Sequence, residues 1–482
     1  MEWKIFLDKN SDTPLYRQLG HAIAAMISQG ELMPDTRLPP IRQLAKILGV
    51  NSTTVVNAYK YLEHKQAVYS VVGSGTYVAR ACALPGPTAV EVHGVLGDDY
   101  INFADGAVDG ALFPTAAMKR AFGAVLDRDG ALAFECCGGL GYGPLRESLS
   151  RLYGSFDAGQ ICIISGVQHG LDILAGILLK PGDTVLVERP APQSIAAIFQ
   201  AKGARVMEMP LVQHGPDFPR LEALLKKRRP RLIYVMPNFQ QPTGICYSDE
   251  SKTRLLALAC AHGAYIVEDD SLGDLYYDRN KRTPLKAMDS HGRVVHMKSF
   301  ARTVPGVNIG FMAYPGQIGV GDDVGFIDCP GQMEADDAAV PGYLQRAFDI
   351  FLRSGDYDAH IANVRNVYKR RYQKAAAAVN TYLAGLADVY LPGGGLGLWV
   401  TPRAGSTGGK DYVEEFLKRK VIVSPERLYI AAGSKIPAAG TKMPAAGAKV
   451  PGFRINFASV PEERIAEGIG VIAAVLGHNR TK

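Results

Sequence analysis

The sequence predicts an α/β protein in two parts: an N-terminal winged helix–turn–helix and a long C-terminal region built on a mainly parallel sheet. Three observations carry this. Two short helical patterns meet at Gly49 and are followed by a glycine-centred hairpin. A segment with Pro and Gly but no periodicity occupies residues 81–100. After Ile101, short apolar runs alternate with helical stretches, the pattern of a parallel sheet covered on both faces. The expected domains are therefore 1–80, a linker over 81–100, and 101–482.

Leu15, Leu19, Ile23, Met26 and Ile27 recur at helical spacing and predict a helix over Thr13–Gln29, stopped by Gly30 and Met33-Pro34-Asp35. Pro39 and Pro40 suit the first turn of a second helix, where a missing N–H costs nothing, and that helix ends at Gly49. Asn51 or Ser52 caps a third helix that buries Val55, Ala58, Tyr59 and Leu62 and leaves Thr53, Thr54 and Asn57 outward. Ala67–Val72 and Thr76–Arg80 alternate like strands around Gly73-Ser74-Gly75, a wing. The second helix of such a motif lies in the DNA major groove, where short hydroxyl side chains reach phosphates or base edges. A small protein-packing module is the rival reading. Residues 1–80 carry nine Lys/Arg against six Asp/Glu, which permits DNA binding without demanding it.

In the second part Ile161–Ser165, Thr184–Glu188, Leu232–Pro237, Ala264–Asp269 and Val294–Met297 read as strands, with helices such as Gly170–Leu179 and Asp249–His262 between them. In sheets of this kind ligands sit at the carboxyl ends of the strands.

Composition narrows the class. Hydrophobic residues at 47% and charged residues at 21% exclude a disordered chain, and a net charge of +6 over 482 residues is mild. The N-terminus has no apolar signal core, and no apolar run reaches the roughly 18 residues of a membrane span. Seven scattered cysteines without a C-x-x-C pair argue against a metal or disulfide framework and fit a reducing cytoplasm. The adjacent Cys136 and Cys137 are expected as two small buried thiols, with a redox pair as the alternative.

Pro14-Leu15-Tyr16, Arg37-Leu38-Pro39, Arg42-x-Leu44-Ala45, Leu48-Gly49-Val50, Thr54-Val55, Ala58-Tyr59 and Gly73-Ser74-Gly75-Thr76 together resemble the GntR-type winged helix. That resemblance implies a DNA-contacting set of Arg37, Arg42, Ser52, Thr53, Thr54, Asn57, Gly73 and Gly75, and double-stranded operator DNA as partner. Ser52 stands where an arginine is often found, and Val56 replaces another polar position, so altered or weakened base readout is expected.

Further along come Ser165-Gly166-Val167-Gln168, Pro181-Gly182-Asp183, Pro237-Asn238-Phe239-Gln240-Gln241-Pro242-Thr243-Gly244 and Glu268-Asp269-Asp270. Pro305-Gly306, Gly394-Gly395-x-Gly397-Leu398-Trp399 and Arg454-Ile455-Asn456-Phe457-Ala458 complete the order. From about Ile101 to the C-terminus this is similar to fold-type-I pyridoxal-phosphate (PLP) enzymes. Joined to the winged helix, it resembles the MocR subgroup of GntR regulators, whose family cofactor is PLP.

The resemblance implies that Asp269 faces the pyridine nitrogen, that Val167 and Gln168 open a helix holding phosphate, and that Ser299 assists them. A purely structural Asp269 is the alternative. Asn238, Gln241, Ser271 and Arg302 fall at the remaining cofactor positions. Here the family's S-x-x-K pattern reads Ser299-Phe300-Ala301-Arg302, and a guanidinium stays protonated and cannot act as the amine nucleophile. The spacing to Pro305-Gly306 is one residue short, so Ala301 is the other match. Ser271, Pro192 and Cys136 replace three expected tyrosines, Asn308 replaces an arginine, and Gln241 replaces an asparagine.

The expectation is a regulator without covalent PLP chemistry. Lys298, four residues before Arg302, is the alternative amine for a PLP-binding regulator or aminotransferase. Arg454 matches the arginine that grips a substrate carboxylate, so a small acidic effector is expected, with Arg302 as a second charge and a structural ion pair as the rival role of Arg454. The family resemblance also implies a homodimer; no metal and no membrane association are expected. A seven-residue repeat over 434–451 reads as an expanded loop, either a lid or a neutral insertion.

Overall fold

A computed structural model describes residues 14–28, 32, 36–64, 68–71, 75–78, 99–104, 106, 108–154, 156–278, 280–315, 318–320, 323–325, 340–403, 412–430 and 452–478. The expectations for Gly73 and Ser74, for linker residues 81–98, for Cys82 and Cys329, and for the 434–451 repeat lie outside these. The chain divides into two compact units, Met1–Leu96 and Gly97–Lys482.

The first unit holds α1 (Leu15–Ser28), α2 (Ile41–Leu48), α3 (Ser52–His64), β1 (Val68–Val71) and β2 (Gly75–Val78). Gly49 ends α2 at φ 62°, donating its N–H to Ala45, a conformation that an L side chain resists. The prolines precede α2 instead of filling its first turn, with Pro40 at the cap position. Asn51 is the cap of α3: its Oδ1 accepts the Thr53 N–H at 3.0 Å. Leu19, Ile23, Leu44, Val55, Ala58, Leu62, Val68 and Val78 close one core. Burying each large side chain there contributes about 1.5–3 kcal/mol against leaving it exposed. Gly20 lets α1 meet α3, because a Cβ there would stand 2.6 Å from the Tyr61 ring. The hairpin is antiparallel, with Val68 opposite Val78 and Tyr69 opposite Tyr77.

The second unit carries an eight-stranded sheet. Its strands are β3 (Ile161–Ile164), β4 (Thr184–Arg189), β5 (Arg205–Val212), β6 (Gly215–Pro216), β7 (Leu232–Val235), β8 (Tyr265–Asp269), β9 (Val294–Ser299) and β10 (Gly310–Ala313). Their spatial order is β3-β10-β9-β8-β7-β4-β5-β6. The run from β9 through β5 is parallel; β10 is antiparallel to both its neighbours, and β6 returns along β5. β3, β7, β8 and β9 are buried at every residue, as near-continuous apolar strands must be when both faces are covered. Helices α4 (Val167–Leu178) and α5 (Asp249–Ala261) lie among the connections. A second, antiparallel sheet of β11 (Ala387–Tyr390), β12 (Gly397–Pro402), β13 (Ser424–Pro425) and β14 (Phe453–Asn456) is ordered β11-β12-β14-β13.

Cys136 is exposed and Cys137 only half-buried, so the expected pair of buried thiols is corrected. The reason is local. The 3-10 turn over Gly130–Phe134 ends at Glu135, and Leu132 and Phe134 in that turn are themselves exposed. No helix among the described residues is long and apolar enough to cross a membrane.

Candidate functional site

In the first unit Arg37, Arg42, Ser52, Thr53 and Asn57 are exposed and Thr54 is half-buried; Gly73 lies outside the described residues. Gly75 is part of this surface for a steric reason. Its φ is 130°, and a Cβ on it would stand 2.9 Å from Arg37 Nε, so the arginine lies flat across the base of the wing. Sequence reading missed a neighbour: Tyr69, 39% exposed, stacks on Tyr77 at 5.7 Å. Period-two alternation with buried Val68 and Val78 was the signal that could have placed both tyrosines on the outer face.

In the second unit the distinctive residues gather at the carboxyl ends of β4, β7, β8 and β9. Asp269 ends β8. One of its oxygens accepts the Tyr234 hydroxyl at 2.8 Å, and the other accepts the Ser271 N–H at 3.0 Å and the Ser271 hydroxyl. Ser271 also accepts the Ser299 N–H at 3.3 Å, tying the ends of β8 and β9 together. Gly166 precedes α4 at φ 142° and offers no capping side chain, so the first N–H groups of that helix, from Val167 and Gln168, have no such acceptor. A Cβ on Gly166 would lie 3.9 Å from Ser299 Oγ. Helix end and hydroxyl thus form a cradle for an anion.

Lys298 is not part of it. Met297 is in register with Asp269 across the parallel β8–β9 pair, and successive residues of a strand point to opposite faces. The lysine therefore projects to the face opposite Asp269. Its Nζ donates to the Asp270 carbonyl at 2.8 Å, lies 3.1 Å from Asp274 and 3.6 Å from the Asp270 carboxylate, and sits 5.3 Å over the Tyr153 ring. Burial works against its charge, but Asp274 and Asp270 outweigh burial and hold it above the ordinary lysine range. So placed, Lys298, the alternative amine, faces Asp270 and Asp274 and turns away from Asp269.

Asn238, expected at a cofactor position, is fully buried and meets protein groups: its Nδ2 donates to Asp270 at 2.7 Å, and its Oδ1 accepts Lys252 Nζ at 3.0 Å. Lys252 was invisible in the sequence because it sits on α5, an ordinary helical lysine until the fold buries it.

Arg302 ends a short 3-10 turn over Phe300–Arg302 and donates to the carbonyl of Gly106. Its guanidinium therefore engages the segment that follows Ile101, and it is absent from the lining of the cavity formed around Arg454. That cavity is a small cleft, with room for about one water molecule, between Phe239, Gln240, Gln241, Pro242, Leu272 and Arg454. Arg454, 4% exposed on β14, lies against Gly397 of β12, where a Cβ would come within 2.8 Å of its Nε. No carboxylate lines the cavity, and no ion pair of Arg454 is found among the described residues.

Covalently bound PLP would need an anion site, a partner for its ring nitrogen and a lysine amine here. The cradle at Gly166 and Ser299 suits a phosphate and Asp269 suits a ring nitrogen, yet the covalent attachment does not fit. The position four residues along from Lys298 carries a guanidinium bound to Gly106, and Lys298 points to the wrong face. Among the described residues no cluster of His, Cys, Asp or Glu is arranged to hold a metal.

Comparison with known proteins gives two family matches: "Bacterial regulatory proteins, gntR family" over residues 15–78 and "Aminotransferase class I and II" over 98–472. The chain is 30% identical to a probable rhizopine catabolism regulatory protein, MocR, of Rhizobium meliloti over 416 residues, 79% of this chain and 80% of that one. It is 27% identical to the HTH-type transcriptional regulator YisV of Bacillus subtilis over 449 residues, 87% and 90% of the two chains. Among solved structures it resembles LysN, the α-aminoadipate aminotransferase of Thermus thermophilus, with a TM-score of 0.68 at 24% identity. That match covers 80% of this chain and 94% of the other, and it speaks to fold alone.

Proposed function

This chain belongs to the MocR-type GntR transcription regulators, a winged helix joined to a class I and II aminotransferase domain, and from that premise we propose what the second unit does. It has left covalent PLP chemistry, pairs two copies of the chain, and senses a small acidic molecule. The observation that carries this reading is Arg454. Its guanidinium lines the cleft without a carboxylate partner, and a ligand carboxylate there would meet it through a bidentate pair.

In the first unit, exposed Arg37, Arg42, Ser52, Thr53 and Asn57 and half-buried Thr54, with the wing at Gly73 and Gly75, read double-stranded operator DNA in the cytoplasm. Two such units in a homodimer require two half-sites at a fixed spacing. The effector changes occupancy by binding one arrangement of the dimer more tightly than another, since equal affinity for both shifts nothing. Asp269, Ser299, Val167 and Gln168 leave non-covalent binding of PLP itself as a second reading, favoured by the anion cradle at Gly166.

The test joins absorbance with thermal stability. Purified protein titrated with PLP is expected to stay silent in the imine band, while a carboxylate effector at 100 times its dissociation constant adds about 2.7 kcal/mol. Arg454→Met should abolish that gain. Appearance of the imine band in the unaltered protein would overturn the loss of covalent chemistry, and Arg302→Lys serves as the matched gain-of-lysine control.

A further inference from the structure

We propose that Glu188 is the positioning residue of the Arg454 cavity, its buried carboxyl holding half the cavity wall in place in a proton-dependent way. This rests on the reading that the cavity is the effector site. Glu188 stands near the carboxyl end of β4, in the same row of strand ends as Asp269 and Ser299.

One carboxyl gathers a whole loop. Oε1 accepts the Met236 N–H at 3.0 Å and the Tyr247 hydroxyl, and Oε2 accepts Gln240 Nε2 at 3.1 Å. These donors are the start, end and middle of the 236–247 segment. Gln240 passes the restraint on. Its Nε2 also donates to the Pro190 carbonyl at 2.6 Å, its Oε1 accepts the Thr243 N–H at 3.0 Å and the Thr243 hydroxyl at 2.6 Å, and its own N–H donates to Ile245. The segment so held supplies Phe239, Gln240, Gln241, Pro242 and Gly244, five of the ten residues that line the cavity opposite Arg454.

The electrostatics around Glu188 are one-sided. Tyr247 faces it from the segment, Tyr234 from β7 and Asp269 from β8; none carries positive charge. Arg189, next along β4, is paired with Glu208 of β5. No lysine or arginine among the described residues pairs with Glu188. Burial therefore pushes its carboxyl up to about 7, against the hydrogen bonds from Tyr247, Met236 and Gln240. A solvent-exposed glutamate titrates near about 4.3. The closed segment thus binds a proton over a window in which the opened segment does not. Closure is favoured at the acid side of that window, and the advantage is lost as pH rises through about 7. Above it the wall opens more often and the cavity holds its ligand less well.

Hydrogen exchange of the full-length protein, read on the peptide covering 236–247 at pH 6 and pH 8 and corrected for intrinsic exchange, tests this without a ligand. Protection should fall about tenfold between the two, while a peptide from β3 stays unchanged. In Glu188→Gln the pH dependence should vanish. Equal protection of the unaltered protein at both pH values, or an undiminished dependence in Glu188→Gln, overturns the proposal. Should Glu188→Gln fail to fold, Tyr247→Phe takes its place. It removes a hydrogen bond that favours the charged form, so the transition must move to higher pH, and an unmoved transition overturns the proposal. If protection follows pH but no carboxylate stabilises the protein, the effector reading falls and the clamp stands.

Discussion

The two units use polar residues in opposite ways. In the winged helix, Arg37, Arg42, Ser52, Thr53 and Asn57 stand on the surface over an apolar core, so side-chain type and helix position nearly define what each can touch. At the strand ends of the second unit, Asp269, Lys298, Asn238 and Glu188, with Lys252 of α5 beside them, are all buried, and type alone says little. There the meaning of a charge is set by the strand face it leaves from and the partner it meets. The difference teaches that a surface site survives substitution piecemeal, whereas a buried one is rebuilt as a network.

The sharpest way to break this comparison is Lys298→Met. If the lysine is a structural counter-charge, its loss leaves Asp270 and Asp274 buried without their cation. Urea unfolding should then show a loss of about 3–5 kcal/mol, with no change in absorbance on adding PLP. A stable variant that instead loses a PLP absorbance band would restore the chemical role to Lys298. Next in size, Arg42→Ala and Thr53→Ala should each weaken operator binding by about 1–3 kcal/mol in a gel-shift or anisotropy titration while leaving the fold intact. Unchanged affinity in both would remove the surface reading of α3. Smallest, Asn51→Ala deletes the one side-chain cap seen on α3 and should lower the stability of the first unit by about 1 kcal/mol in thermal unfolding. A loss of several kcal/mol would mean the first unit, too, depends on buried polar structure.

Legibility followed the same division. Helical spacing and a cap at Asn51 or Ser52 were readable because they are local, and the structure places the cap at Asn51. The five apolar strands were readable because burial on both faces leaves Val and Ile runs, and the loss of the family's lysine at Arg302 was a matter of order along the chain. What the sequence hid was non-local. That Lys298 turns away from Asp269 depends on the β8–β9 register, which pairs Met297 with Asp269. That Lys252 holds Asn238, or that Glu188 binds both ends of one loop, depends on partners 14 and up to 59 residues away, and no spacing rule connects them. The exposed Cys136 was misjudged because cysteine is usually buried, whereas here the chain leaves a surface turn at Glu135.

Lys252, Asn238, Asp270, Lys298 and Asp274 form one unbroken line of contacts in which two ammonium groups answer two carboxylates through an amide. Such a line constrains descent as much as structure. Losing Lys298 leaves Asp270 and Asp274 without their shared cation, whereas losing one aspartate leaves the lysine facing the other. Lineages that part with Lys298 should be found to have changed Asp270 or Asp274 at the same time, and the line should pass between relatives as a unit or be replaced as one.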